Sequence, residues 1–170
     1  MRDLAAEVGI KAPAAYNHFA SKEEILAAAI VWGLEDFNEK VTRADKASDD
    51  TIRRLEGIVV RHVRYQLEHA RMAKANDLLI DSDVLDRFAD PEVRGRVRSL
   101  LREHLDLLTD IIGKLRKEGI PLPVEPRLCA LAIGSMCDRV LRWYRPSGQL
   151  SPERIAKSYW LLVRNMLSLP

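Results

Sequence analysis

The spacing of apolar residues constrains this chain more than any other feature. From residue 25 to residue 167 they recur every three or four positions. No segment alternates apolar and polar like a half-buried strand. One stripe runs Ile25, Leu26, Ala29, Ile30, Leu34, Phe37 and Val41. A second runs Ile52, Leu55, Val59, Val63 and Leu67. A third runs Val97, Leu100, Leu101, His104, Leu108, Ile111, Ile112 and Leu115. Each is the buried face of an amphipathic helix. Start signals agree with the stripes. Ser21 and Glu24 have capping-box spacing, Asp49 opens the second stripe, and Asp90-Pro91 and Ser151-Pro152-Glu153 place a cap before a proline in the first turn. Residues 44–48, the proline-rich loop 119–126 and residues 146–148 interrupt the pattern. Residues 72–88 read as one or two shorter helices, 127–144 as one helix, and 152–167 as the last. The expected fold is all-α.

Composition matters mainly for what it excludes. With 47% hydrophobic and 31% charged residues, the 170-residue chain has enough apolar surface for a packed core and is unlike a disordered segment. Residues 128–137 form the longest apolar run, which Asp138 and Arg139 cut off well short of a membrane span. A basic n-region followed by an apolar h-region is missing too, so the expected location is the cytoplasm, with no membrane partner. Cys129 and Cys137 are eight residues apart on one helix, about 12 Å along its axis, which is too far for a disulfide. They read as small buried hydrophobes. No zinc spacing, nucleophile–base pair or phosphate-cradling loop is visible, so neither an enzyme nor a cofactor or metal site is expected.

The N-terminal stretch carries the functional signal. Residues 2–8 form a short helix with Leu4, Ala5 and Val8 on one face. Gly9 supplies the stop, Pro13 suits a first helical turn, and the next helix ends at Phe19. Helix, glycine turn and helix make a helix-turn-helix whose second member would enter a DNA major groove. A structural helical hairpin is the alternative. Residues 1–46 hold six Lys/Arg against eight Asp/Glu. Phosphate contacts there must therefore be few and positioned rather than a broad basic patch.

The string LAAEVGIKAPAAYNHFASKEEIL, residues 4–26, resembles the DNA-binding signature of the TetR family of transcriptional regulators, through Tyr16, His18, Phe19, Ser21, Lys22 and Ile25-Leu26. The resemblance implies that Tyr16, His18 and Lys22 grip the DNA backbone, with Lys22 aided by its helix N-terminus. It further implies that Lys11, Ala12, Pro13, Ala14 and Asn17 face the bases and that Arg2 touches phosphate. It divides the chain into a DNA-binding unit, residues 1–44, and an effector-binding and dimerisation domain, residues 45–170. In that family the DNA-binding unit has three helices, and this sequence begins directly at the second. The expectation is that the natural product starts upstream or that the polypeptide is truncated, and that as written it binds operator poorly.

Helices 127–144 and 152–167 are apolar nearly all round, which requires burial on two sides. Ordinary core packing would supply one such side. The family resemblance makes the other a second subunit, giving a homodimer that meets a palindromic operator. His62 and Gln66 interrupt the second apolar stripe and His104 the third. They are satisfied core groups or ligand contacts. The segment Arg142-Trp143-Tyr144-Arg145-Pro146-Ser147-Gly148 resembles a junction in TetR regulators of fatty-acid and steroid catabolism, which implies Arg142 and Trp143 as further ligand contacts and an acyl-CoA thioester as effector. The sequence therefore reads as a one-component repressor released from DNA by a small hydrophobic effector. The alternative is a DNA-incompetent, all-α dimeric ligand-binding module.

Overall fold

The computed structural model describes residues 21–46, 50–74 and 90–170. The two helices expected before residue 20 lie outside these residues. So do Arg2, Lys11, Ala12, Pro13, Ala14, Tyr16, Asn17 and His18, the side chain of Lys22, and most of the 72–88 stretch.

Helix α1, Lys22–Phe37, starts where its capping residue dictates. The Ser21 hydroxyl accepts a hydrogen bond from the Glu24 N–H at 3.0 Å. The sequence stripe suggests one helix through Val41, but the backbone loosens into a π-helical turn, Asn38–Thr42. The buried Asn38 and Thr42 side chains reach across to the helix of residues 91–117. A π-turn widens the ring enough to aim them there. Helix α2, Thr51–Glu68, is capped by Asp50, whose carboxylate accepts from the Arg53 N–H at 2.9 Å. The cap is thus one residue later than Asp49.

Helix α3, Pro91–Lys117, opens on the Asp90 cap with proline in its first turn. It ends in a Schellman motif. The Ile120 N–H reaches the Leu115 carbonyl at 3.1 Å, and Gly119 takes φ +95°, which a Cβ would disfavour. Helix α4, Pro126–Asp138, is shorter than the 127–144 expectation. At Arg139–Arg142 the chain tightens into a 3₁₀ turn that buries Val140 and Leu141, a tightening common at the C-terminal end of an α-helix. Helix α5, Pro152–Met166, starts at the Ser151 cap. The fold is all-α, with no strand among the described residues.

Two apolar clusters hold these helices together. The larger unites Leu55, Val59 and Val63 of α2, Leu108, Ile112 and Leu115 of α3, Ile133 and Cys137 of α4, and Ile155, Trp160 and Val163 of α5. The smaller joins Ile30 and Leu34 of α1 to Val97 and Leu100 of α3. Helix α3 belongs to both. Between its two sets of buried residues sits His104, where neither cluster fills the space. Surface ion pairs also tie α1 to α3: Glu35 with Arg96 at 2.7 Å, and the carboxylate of Glu103 with a two-pronged Arg43 just past the π-turn.

Candidate functional site

The gap between the two clusters is a cavity of about 350 Å³ walled by α1, α2, α3 and α4. Ligand pockets run upward from about 300 Å³. Helical spacing supplies its lining: Leu34 and Phe37 from α1, His62 and Gln66 from α2, Leu100, His104 and Leu108 from α3, and Ala130, Gly134 and Asp138 from α4. The walls are mostly apolar, with a compact polar centre.

That centre is a chain of directed hydrogen bonds. Asp138 accepts from His62 Nε2 at 2.8 Å and from Gln66 Nε2 at 2.7 Å. An ionised carboxylate can only accept, so Gln66 must present its NH₂ to it and turn its Oε1 away. The Asp138 side chain keeps 42% of its surface because it lines the cavity. Burial would raise its pKa, but the charge and hydrogen bond of His62, with Gln66 assisting, hold it below the ordinary carboxylate value.

A second chain begins at the α3 backbone. Asn38 Nδ2 donates to the Leu100 carbonyl at 2.8 Å, which fixes the amide so that Oδ1 accepts. Thr42 Oγ1 donates to that Oδ1 at 2.8 Å. Having spent its proton, Thr42 Oγ1 can only accept from His104 Nδ1, 3.0 Å away. His104 is therefore the Nδ1–H tautomer. Burial, reinforced by the neighbouring His62 charge, pushes its pKa down to about 3, so the ring is neutral. Its Nε2 is a buried lone pair without a hydrogen-bond partner among the described residues, as is Gln66 Oε1. The Phe37 ring stands edge-on to both histidines, 4.9 Å from each, and His62 and His104 are 4.9 Å apart. Tyr65, also in the lining, donates to Asp36 at 2.8 Å. Burial and that carboxylate raise its pKa, so it stays protonated.

Of the residues singled out by sequence, His62, Gln66 and His104 come together here. Arg142 and Trp143 do not. Both are exposed and absent from the lining, and Trp143 Nε1 donates to the Tyr159 hydroxyl at 3.2 Å. They belong to the junction before α5. Sequence reasoning passed over Asp138, Asn38, Thr42 and Phe37. A signal existed for Asp138, the acid that ends the longest apolar run, and for Asn38 and Thr42, a polar pair four apart beside a buried stripe. No group of three metal-ligating side chains occurs among the described residues, nor a helix long and apolar enough to cross a membrane.

Residues 48–167 match the family of "Tetracyclin repressor-like, C-terminal domain" proteins, and residues 1–29 match "Bacterial regulatory proteins, tetR family". Similar proteins include the HTH-type transcriptional repressor KstR2 of Mycobacterium tuberculosis, 23% identical over 96% of this chain and 80% of the relative. Among solved structures, a tetR-family regulatory protein from Rhodococcus RHA1 superposes with a TM-score of 0.84, at 25% identity, over 98% of this chain and 84% of that one. AibR in complex with isovaleryl coenzyme A and operator DNA has a similar fold, with a TM-score of 0.79 at 20% identity over 99% of this chain and 87% of its own.

Proposed function

We infer that this chain, which belongs to the TetR family of bacterial regulatory proteins, is a one-component repressor released from its operator by a small hydrophobic effector bound in the cavity. One observation carries the reading. The helix leading out of the helix-turn-helix stretch is itself a wall of the cavity, through Leu34 and Phe37, and its π-turn is bonded to His104 on another wall. An occupant that binds one position of α1 better than another shifts that helix and the DNA-binding unit it carries. Coupling between the two sites follows from that shared helix.

Operator contact falls to Arg2, Lys11, Ala12, Pro13, Ala14 and Asn17, with Tyr16, His18 and Lys22 on the backbone, by the resemblance of that stretch to the family signature. Residues 1–44 form the DNA-binding unit, residues 45–170 the regulatory one, and the protein acts in the cytoplasm. Dimerisation through α4 and α5 is supported by their second apolar faces. Leu128 is 56% exposed, Leu161 53% and Leu162 55%, with Leu131 and Met166 also exposed, although each helix already buries one face in its own core. A twofold dimer would meet a palindromic operator. AibR's complex with isovaleryl coenzyme A supports an acyl group as one class of occupant.

The test is fluorescence anisotropy on DNA from upstream of the chain's own coding sequence, titrated with salt and with short acyl-CoA thioesters, isovaleryl-CoA first. Phosphate contacts predict affinity falling as salt rises. Effector coupling predicts a loss of about fivefold or more, and a change below about twofold for every thioester would refute that effector class. Absence of salt-dependent DNA binding would refute the repressor reading and leave a ligand-binding dimer.

A further inference from the structure

We propose that the cavity selects an apolar molecule bearing a hydroxyl or N–H group, which donates a hydrogen bond to His104 Nε2. The proposal rests on reading the cavity as the effector site, and it names the chemistry that site requires.

The argument is one of hydrogen-bond direction. The Asn38–Thr42–His104 chain runs from the α3 backbone into the cavity wall, and each bond fixes the next, so that His104 ends it as an acceptor. Gln66, held by Asp138, likewise ends in an acceptor, Oε1. Both residues line the cavity, His104 9% exposed and Gln66 8%, and neither terminal atom has a partner among the described residues. A buried acceptor without a donor is costly, and an occupant that supplies the donor recovers that cost. The donors closest to these two acceptors are committed, His62 and Gln66 to Asp138 and Tyr65 to Asp36, while Arg139 lines the cavity beside Asp138. The Ser135 hydroxyl on α4 can play either part.

At His104 Nε2 and Gln66 Oε1, an occupant offering only a carbonyl or ether would turn lone pairs toward lone pairs. Protonating His104 to serve it is disfavoured, since burial keeps the ring neutral. A plain acyl chain would leave both acceptors unpaired, whereas the single O–H of a hydroxyacyl chain or a cyclic alcohol would pair one of them. Nε2 is itself covered, so a donor reaches it as a neighbouring side chain gives way. His62 is anchored by Asp138, and Phe37, the last residue of α1, stands 4.9 Å from the His104 ring.

The experiment is calorimetric titration of the full chain with two molecules of matched shape, 2-decalol and 2-decalone, repeated on His104→Phe and Gln66→Leu. The alcohol is expected to bind about tenfold more tightly than the ketone, with the preference falling to under threefold in His104→Phe and surviving in part in Gln66→Leu. Equal or tighter binding of the ketone overturns the inference while leaving the cavity as a ligand site. A preference unchanged in both variants overturns it as well. Binding of neither molecule overturns the cavity reading, and the inference falls with it. Should His104→Phe not fold, His104→Gln provides the same comparison with a shorter acceptor and is expected to weaken the preference without abolishing it.

Discussion

Thr42→Val tests the hydrogen-bond chain from which the site's chemistry was derived. Valine has nearly the shape of threonine, so packing is preserved and only the hydroxyl is lost. That hydroxyl serves two neighbours, donating to Asn38 Oδ1 and accepting from His104 Nδ1–H, in residues 1% and 9% exposed. Removing it strands both. At about 1–3 kcal/mol for each buried group left unsatisfied, less what relaxation recovers, the expected loss is about 2–4 kcal/mol. His104 cannot repair it by changing tautomer, because Nδ1 would then be a bare acceptor facing a methyl group. Thr42→Ser keeps the hydroxyl and deletes one methyl, for about 1 kcal/mol. The assay is equilibrium urea unfolding of both variants and the parent at one fixed protein concentration, because subunit association would otherwise shift the midpoints. A Thr42→Val loss below about 0.5 kcal/mol, or a Thr42→Ser loss equal to it, would refute the directed chain and the acceptor assignment at His104.

Other consequences follow from the same geometry. His104 titrates near 3 in the folded protein against an ordinary value of 6.5, so between those values the unfolded chain binds more protons. Stability should fall as pH drops below about 6.5, approaching about 1.4 kcal/mol per pH unit before levelling near 3, and urea midpoints for His104→Phe should show a shallower slope. Gly134 lines the cavity on α4, and a Cβ built there meets nothing within 4 Å. Gly134→Leu should therefore gain up to about 1 kcal/mol from helix propensity in thermal unfolding while ligand binding by calorimetry is lost; retained binding would contradict the cavity assignment. Asp138→Leu leaves the His62 and Gln66 donors without their acceptor and should cost about 2–4 kcal/mol by urea unfolding. Leu162→Glu puts a charge on the exposed apolar face of α5, and sedimentation should show a shift toward monomer with the helical circular-dichroism spectrum unchanged.

Much of the fold is legible in the chain because helix starts are local events. A serine or aspartate cap acts on backbone within three residues of itself, and a proline in the first turn needs no distant partner. Ser21, Asp90 and Ser151 could thus be placed from sequence, and Asp50 to within one residue. The polar interruptions His62, Gln66 and His104 were equally visible, since a polar residue inside an apolar stripe stands out wherever the stripe goes. Arg142 and Trp143 were drawn into the same list by sequence resemblance alone, which does not say that a helix end faces away from the cavity.

What joins these residues could not be read from the chain. Asp138 meets His62 across 76 positions, and Thr42 meets His104 across 62. Those distances are set by how α1 and α4 pack on α2 and α3, through clusters whose apolar residues any neighbouring helix could satisfy. The two departures from regular helix follow from the same packing: the π-turn at Asn38–Thr42 and the 3₁₀ turn at Arg139–Arg142. The π-turn brings Asn38 and Thr42 to partners on α3, and the 3₁₀ turn brings Val140 and Leu141 into the larger cluster. The sequence by itself determined the helix starts and their caps, which depend on neighbours along the chain. Only the tertiary structure decided the cavity, the two buried acceptors in its wall and its shared wall with α1, since hydrogen-bond direction is fixed by which groups meet across the fold.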